Sequence, residues 1–293
     1  KNRKKNTNMD DQSFFTSLLH QSKTHRAAGN HIVRAIRQGL YVALIGPRFS
    51  GKTDLLANAL SLLQDVGYAS VNIDLAQYRA CSSLNELFAR LSQRIRSAFA
   101  SVPFQQPVPA ELSADEFIQS LDEIAAQRDR SCIIAFDTLE GLHSSYIHPL
   151  LITLRNLYNL QQARPTRLLI VLVSALDMAG ITLGPTSPFN IAEPVFLSEI
   201  TGEDSEQIIR YEFERYDLGI SPKALQCLCE AGLGDAYLLH TLCQDAIRSL
   251  HAQGEYELNI TRARRIVDHF IRQEAAQFRP LEEPIKQIQG DCH

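Results

Sequence analysis

Apolar residues alternate between two patterns along the chain. Short, mostly apolar runs occur at Tyr41–Ile45, Tyr68–Asp74, Cys132–Phe136, Leu168–Ser174 and Pro194–Leu197. Each has the length of a strand, and runs of this kind form the buried strands of parallel sheets. Between them apolar positions recur at helical spacing over residues 13–38, 52–66, 84–99, 113–128 and 146–162. Gly39 is placed to cap the first of these helices. Pro103, Pro107 and Pro109 mark one loop, and Gly180, Gly184, Pro185 and Pro188 mark a turn-rich stretch before the last run. Strands alternating with helices predict a five-stranded parallel sheet covered on both faces. After Ser198 the strand signal nearly vanishes. Helical spacing over 203–216, 221–230, 235–251 and 261–277 predicts a small all-helical domain. The expected division is an N-terminal linker and helix (1–38), an α/β domain (39–198), a helical domain (199–277) and a tail (278–293).

Composition narrows the class. With 45% hydrophobic and 21% charged residues, the 293-residue chain is neither disordered nor collagen-like. No apolar run approaches the roughly 18 residues of a membrane span, so no membrane partner and a cytoplasmic location are expected. A net charge of −4 argues against a whole-surface nucleic-acid binder. It leaves two local basic patches, Lys1–Lys5 and Arg262, Arg264 and Arg265, each readable as a DNA contact or as solvated surface. The six cysteines include no C-x-x-C pair and read as reduced, packed thiols. The chain opens on Lys1 and is expected to be a fragment of a longer polypeptide.

The chemistry concentrates at the end of the first apolar run. Gly46-Pro47-Arg48-Phe49-Ser50-Gly51-Lys52-Thr53 fits G-x-x-x-x-G-K-[ST], the P-loop, and stands between a predicted strand and helix. Glycines allow backbone N–H groups to converge on phosphate oxygens, and the helix that follows adds its positive N-terminal end. Residues Gly46 to Thr53, with Asp54, are the candidate contacts for ATP or ADP. Lys52 is expected to reach the β- and γ-phosphates, and the Thr53 hydroxyl to ligate Mg²⁺. Arg48 reads as a phosphate contact or as a solvated side chain, and Phe49 as a cover over the loop.

A P-loop metal needs a carboxylate. Ile133-Ile134-Ala135-Phe136-Asp137 is an apolar strand ending in one, the Walker B pattern, so Asp137 is the second candidate metal ligand, with a turn or helix-cap role as its alternative. Thr138 follows where many related ATPases carry Glu. The nearest acid is Glu140, a candidate general base; the alternative is a solvent-facing carboxylate and very slow hydrolysis. Ser174 ends the fourth run, where a small polar residue senses the γ-phosphate and orients water, or is an ordinary strand-end hydroxyl. The fourth strand is expected to lie between the P-loop strand and the Asp137 strand. Lys52, Glu140 and Ser174 make up the candidate catalytic set.

On these residues the chain resembles the AAA+/STAND group of P-loop ATPases, and within it the bacterial AAA-like domain proteins, which are related to origin-recognition ATPases. The resemblance also rests on Ser187–Ala192, on Phe196-Leu197 with Thr201–Asp204, and on Gly232–Leu239. It implies a nucleotide held between the sheet domain and a helical lid. It further implies a molecular switch whose nucleotide state controls self-association or a fused effector or sensor domain. The departures imply slow turnover. The lid turn Gly232–Ala236 lacks the proline of many relatives, and Tyr237 stands where origin-type relatives have a sensor arginine. Ala175–Pro194 contains no Arg or Lys to act as a trans finger, leaving Arg155, Arg164 and Arg167 as substitutes or solvated residues. Loss of such an arginine costs about 10³–10⁵ in rate in GTPases. The alternative reading is an ATP-dependent DNA-binding AAA+ adaptor. A P-loop kinase is disfavoured because no acceptor-binding motif is recognisable.

Overall fold

The five apolar runs form one parallel sheet: β1 (Val42–Gly46), β2 (Ala69–Asp74), β3 (Cys132–Asp137), β4 (Leu168–Ala175) and β5 (Glu193–Phe196), in the spatial order β2-β3-β4-β1-β5. β4 lies between β1 and β3, as the P-loop reading expects. Every residue of β1, β3 and β4 is buried, as suits central strands that are apolar at nearly every position. β2 and β5 mix buried and exposed positions and form the edges. The computed structural model describes residues 22–47, 50–99, 107–127, 130–162, 168–175, 180 and 187–272. Arg48, Phe49, Arg164, Arg167, the Lys1–Lys5 run, Cys292 and the tail expected at 278–293 lie outside these residues. Among those described, no helix is long and apolar enough to cross a membrane.

Helices α1 (Lys23–Arg37), α2 (Lys52–Asp65), α3 (Leu84–Phe99), α4 (Ala114–Ala126) and α5 (Ser144–Gln161) accompany the sheet. Local chemistry sets several of their ends. Ser113 and Glu116 form a capping box at α4: the Glu116 amide donates to Ser113 Oγ, and the Ser113 amide donates back to Glu116 Oε2 at 2.7 Å. Gly39, at φ 77, closes α1 and donates its amide to the Ile36 carbonyl.

Contacts divide the chain into Thr24–Ser198 and a second unit made of the preceding residues with Glu199 onward. The division after residue 38 expected from sequence therefore needs correction, because nearly all of α1 belongs to the sheet unit. Its buried stripe of Ala28, Ile32, Ala35 and Ile36 requires an apolar surface to cover it. α1 also packs closely on α2, where a Cβ on Gly29 would lie 3.2 Å from Leu55 Cδ1.

The second unit holds α6 (Gly202–Arg215), α7 (Pro222–Gly232), α8 (Ala236–Gln253) and a helix, α9, described over 260–272. Ile208, Phe213, Leu225, Leu242, Leu250 and Phe270 belong to its core. Among the described residues the unit is helical apart from one short parallel pairing, β6 (Gly219–Ile220) with β7 (Glu257–Leu258), too brief to leave a strand pattern in the sequence. Ser22 Oγ donates to buried Asp204 in the first turn of α6 at 3.0 Å, and Lys23 pairs with Glu203 at 2.9 Å.

Candidate nucleotide-binding site

The P-loop runs from the C-terminal end of β1 to the start of α2, and its two fixed glycines are required for different reasons. At Gly46 the limit is space: a Cβ there would approach the Leu197 carbonyl oxygen to 2.7 Å. At Gly51 the limit is conformation, since φ 81 and ψ 19 place this helix-capping residue in the left-handed region. Between them, Pro47 is described, and Ser50 is buried with an Oγ that has no hydrogen-bond partner among the described residues. Lys52 is buried, and its ammonium donates to the carbonyl oxygens of Gly46, at 3.1 Å, and Pro47. The lysine is thus turned back over its own loop. Asp54 lies in the first turn of α2.

Thr53 is exposed beside the loop, and its Oγ1 donates to Asp137 Oδ2 at 2.8 Å. The Thr138 amide donates to the other carboxylate oxygen, also at 2.8 Å. Burial pushes the Asp137 carboxyl above the usual aspartate range; the hydrogen bonds from Thr53 and Thr138 pull it back, Asp74 adds a further upward push, and Lys52 lowers it. Asp74 is the register partner of Asp137 across the β2–β3 pair, so two carboxylates end neighbouring strands. Among the described residues no cluster of three or more His, Cys, Asp or Glu side chains could cage a metal. A hydroxyl and a carboxylate are hard oxygen donors, and they fit Mg²⁺, which keeps much of its water and binds through one or two carboxylates plus substrate phosphate.

The other two catalytic candidates meet at the end of β4, Ser174 on the strand and Glu140 bonded to it. Ser174 pairs in register with Ile45, one residue before Gly46, and is fully buried, its Oγ without a hydrogen-bond partner among the described residues. Glu140 sits on a short 3₁₀ turn, Leu139–Gly141, and its Oε2 accepts the Ala175 amide at 3.1 Å. One oxygen of its carboxylate is therefore engaged with the end of β4, in a residue that is half-buried.

Three contributions escape sequence reading. His25, in α1, meets the Ser50 carbonyl oxygen through Nε2 at 2.8 Å. Thr138 holds a left-handed conformation, φ 60 and ψ 54, directly after Asp137. Arg155 donates to the Pro188 carbonyl at 3.2 Å and to Asn190 Oδ1 at 3.0 Å, so it fastens the turn before β5. Each partner is remote in sequence or depends on a backbone angle, and neither leaves a periodic signal. In the second unit the Gly232–Asp235 turn uses positive φ at Leu233 (49) and Gly234 (74), and Asp235 Oδ1 accepts the Leu238 amide at 2.9 Å. The proline of related lids is therefore not needed to make this turn.

Solved structures with similar folds include a Walker-type ATPase of Pyrococcus abyssi, at 19% identity and a TM-score of 0.63, covering 89% of this chain and 75% of that one. Cdc6p of Pyrobaculum aerophilum is 20% identical, with a TM-score of 0.60 over 76% of this chain and 60% of its own. The Orc1 protein of Aeropyrum pernix, solved in complex with DNA, is 14% identical with a TM-score of 0.59, covering 84% of this chain and 65% of that one. At these identities the likeness is one of fold. No curated protein sequence matches the chain. A family model described as an AAA-like domain matches residues 18–263, and with its P-loop, its β3 aspartate and its β4 inserted between β1 and β3, the chain belongs to the AAA-like domain family.

Proposed function

We propose that this chain is an ATP-binding, slowly hydrolysing molecular switch of the STAND/AAA+ type, coupling nucleotide state to self-association or to an effector or sensor domain outside this sequence. The observation that carries the reading is the 2.8 Å hydrogen bond from Thr53 Oγ1 to Asp137 Oδ2. It joins the P-loop hydroxyl to the buried carboxylate ending β3, the two groups a triphosphate-bound magnesium ion requires. Thr53 and Asp137 would hold Mg²⁺, which when bound neutralises charge on the phosphates. Lys52 supplies a cation on the loop itself. Ser174 offers a buried hydroxyl at the end of β4, and Glu140 a carboxylate for a water proton.

Three features support slow turnover. Thr138 stands next to Asp137 in place of an acid, Ala175–Pro194 holds no Arg or Lys, and Arg155 is committed to Pro188 and Asn190. P-loop hydrolases without a supplied arginine turn over on the order of 10⁻⁴–10⁻³ s⁻¹, the range expected here. A DNA-binding adaptor gains no specific support: Arg262, one of its basic-patch residues, is paired with Glu255.

Calorimetric titration with ADP and ATP, with and without magnesium, tests the assignment. Wild-type protein should bind both. Lys52→Ala should weaken binding by at least about 100-fold, as expected for removing a charged phosphate contact. Thr53→Ala and Asp137→Asn should remove most of the magnesium dependence. A folded wild-type protein with no affinity for either nucleotide would refute the proposal.

A further inference from the structure

We propose that His25 is a positioning residue of the phosphate site: through the Ser50 carbonyl it orients the Ser50–Gly51 peptide, so that the Gly51 amide is presented as a phosphate donor. The inference rests on the nucleotide reading above and adds to it a residue outside any nucleotide-binding motif.

His25 is fully buried in the first turn of α1, and its Nε2 lies 2.8 Å from the Ser50 carbonyl oxygen. A carbonyl oxygen only accepts, so Nε2 carries the hydrogen. The Ser50 C=O and the Gly51 N–H belong to one planar trans peptide, whose two dipolar bonds point in opposite directions. Holding the oxygen against His25 therefore turns the Gly51 N–H away from α1. This restraint falls where the chain needs one. Gly51 sits at φ 81, and a glycine there leaves the adjoining peptide free to rotate.

The surroundings fix both ends of the contact. α1 is anchored by its buried stripe and by the close approach of Gly29 to Leu55, a residue of the helix that carries Lys52 and Thr53. Among the described residues the Ser50 hydroxyl has no hydrogen-bond partner, whereas its carbonyl meets His25. Ser50 also packs closely on Gly46, where a Cβ would lie 3.3 Å from Ser50 Oγ. Position 50 is thus set by packing against Gly46 and by one directional bond from His25.

The test titrates Mg–ADP into wild type, His25→Gln, His25→Phe and His25→Ala, with nucleotide-free melting recorded for each. Glutamine restores an N–H donor, whereas phenylalanine fills the space without one. Loss of the donor should weaken ADP binding about tenfold in the Phe and Ala variants, the scale of one hydrogen bond. The Gln variant should stay within about threefold of wild type. Relaxation dispersion at the Gly51 amide should show added exchange in the Phe variant and wild-type behaviour in the Gln variant, without any nucleotide present. Equal binding by the Phe variant and wild type overturns the proposal, as does equal weakening by Gln and Phe, which would assign the residue to packing. If wild type binds no nucleotide, the proposal falls together with the site reading. If wild type binds and the variants do not differ from it, only the His25 assignment falls.

Discussion

Glu140 holds two possible duties in one carboxylate. Its Oε2 accepts the Ala175 amide, which fastens the turn after β3 to the end of β4 next to Ser174. As a base it would also take a proton from water. Glutamine keeps an acceptor oxygen for the amide but cannot act as a base, so substitution separates the duties. Glu140→Gln should melt like wild type, bind ATP normally and lose turnover by about 100-fold or more. Glu140→Ala should show the same loss of turnover together with a drop of about 1–2 kcal/mol in denaturant-derived stability, because the Ala175 amide loses its partner. Unchanged ATP hydrolysis in the Gln variant would remove Glu140 as the base. The acid itself was legible from its distance to Asp137 in sequence. Its hydrogen bond was not, since Ala175 lies on another strand.

At the scale of elements, the turn joining β3 to the 3₁₀ segment is built under strain. Thr138 is β-branched yet sits at φ 60, which costs a residue with a Cβ about 1–2 kcal/mol. The strain has a geometric return: it sends the Thr138 amide to Asp137 Oδ1 and carries Glu140 toward β4. The turn is further confined at Gly141, where a Cβ would lie 2.7 Å from Ala76 Cα. Thr138→Gly should therefore raise stability by up to about 1 kcal/mol in urea denaturation while leaving nucleotide affinity within about twofold. A destabilised variant would show that the threonine side chain contributes more than its backbone costs. Nothing in the local sequence marks this residue as left-handed, because the angle is imposed by the carboxylate before it and the strand beside it. By contrast, the starts of α4, α6 and α7 carry Ser113, Thr201 and Ser221 as N-caps, and such starts are readable because a cap contacts only its own first turn.

For the whole molecule, the switch proposal makes a claim about populations. A nucleotide can shift an equilibrium between states only by its differential affinity for them. Sizing chromatography and small-angle scattering with ADP, with ATP and with a non-hydrolysable analogue should therefore give different profiles for the diphosphate and triphosphate forms. Identical profiles in all three would leave an ATPase without the switching behaviour proposed here. The strand hydrophobicity at this scale follows from topology. β1, β3 and β4 are buried on both faces and are apolar at nearly every position, but that pattern is the same whatever their order. Their order is what sets Ser174 beside β1 and Asp137 near Thr53.

What the amino-acid sequence determined by itself is whatever depends on neighbours along the chain. The alternation of buried strands and amphipathic helices, the glycines and lysine of 46–53 and the acid closing β3 are all of this kind, since period, capping and turn chemistry act over a few residues. Tertiary structure decided the rest: the bond from His25 to Ser50, the clasp of Arg155 on Pro188 and Asn190, the hold of Glu140 on Ala175, and the membership of α1 in the sheet unit. These contacts join groups distant in sequence, and their geometry exists only once the sheet is assembled. A single side chain that makes one such directional bond leaves no repeat by which to find it.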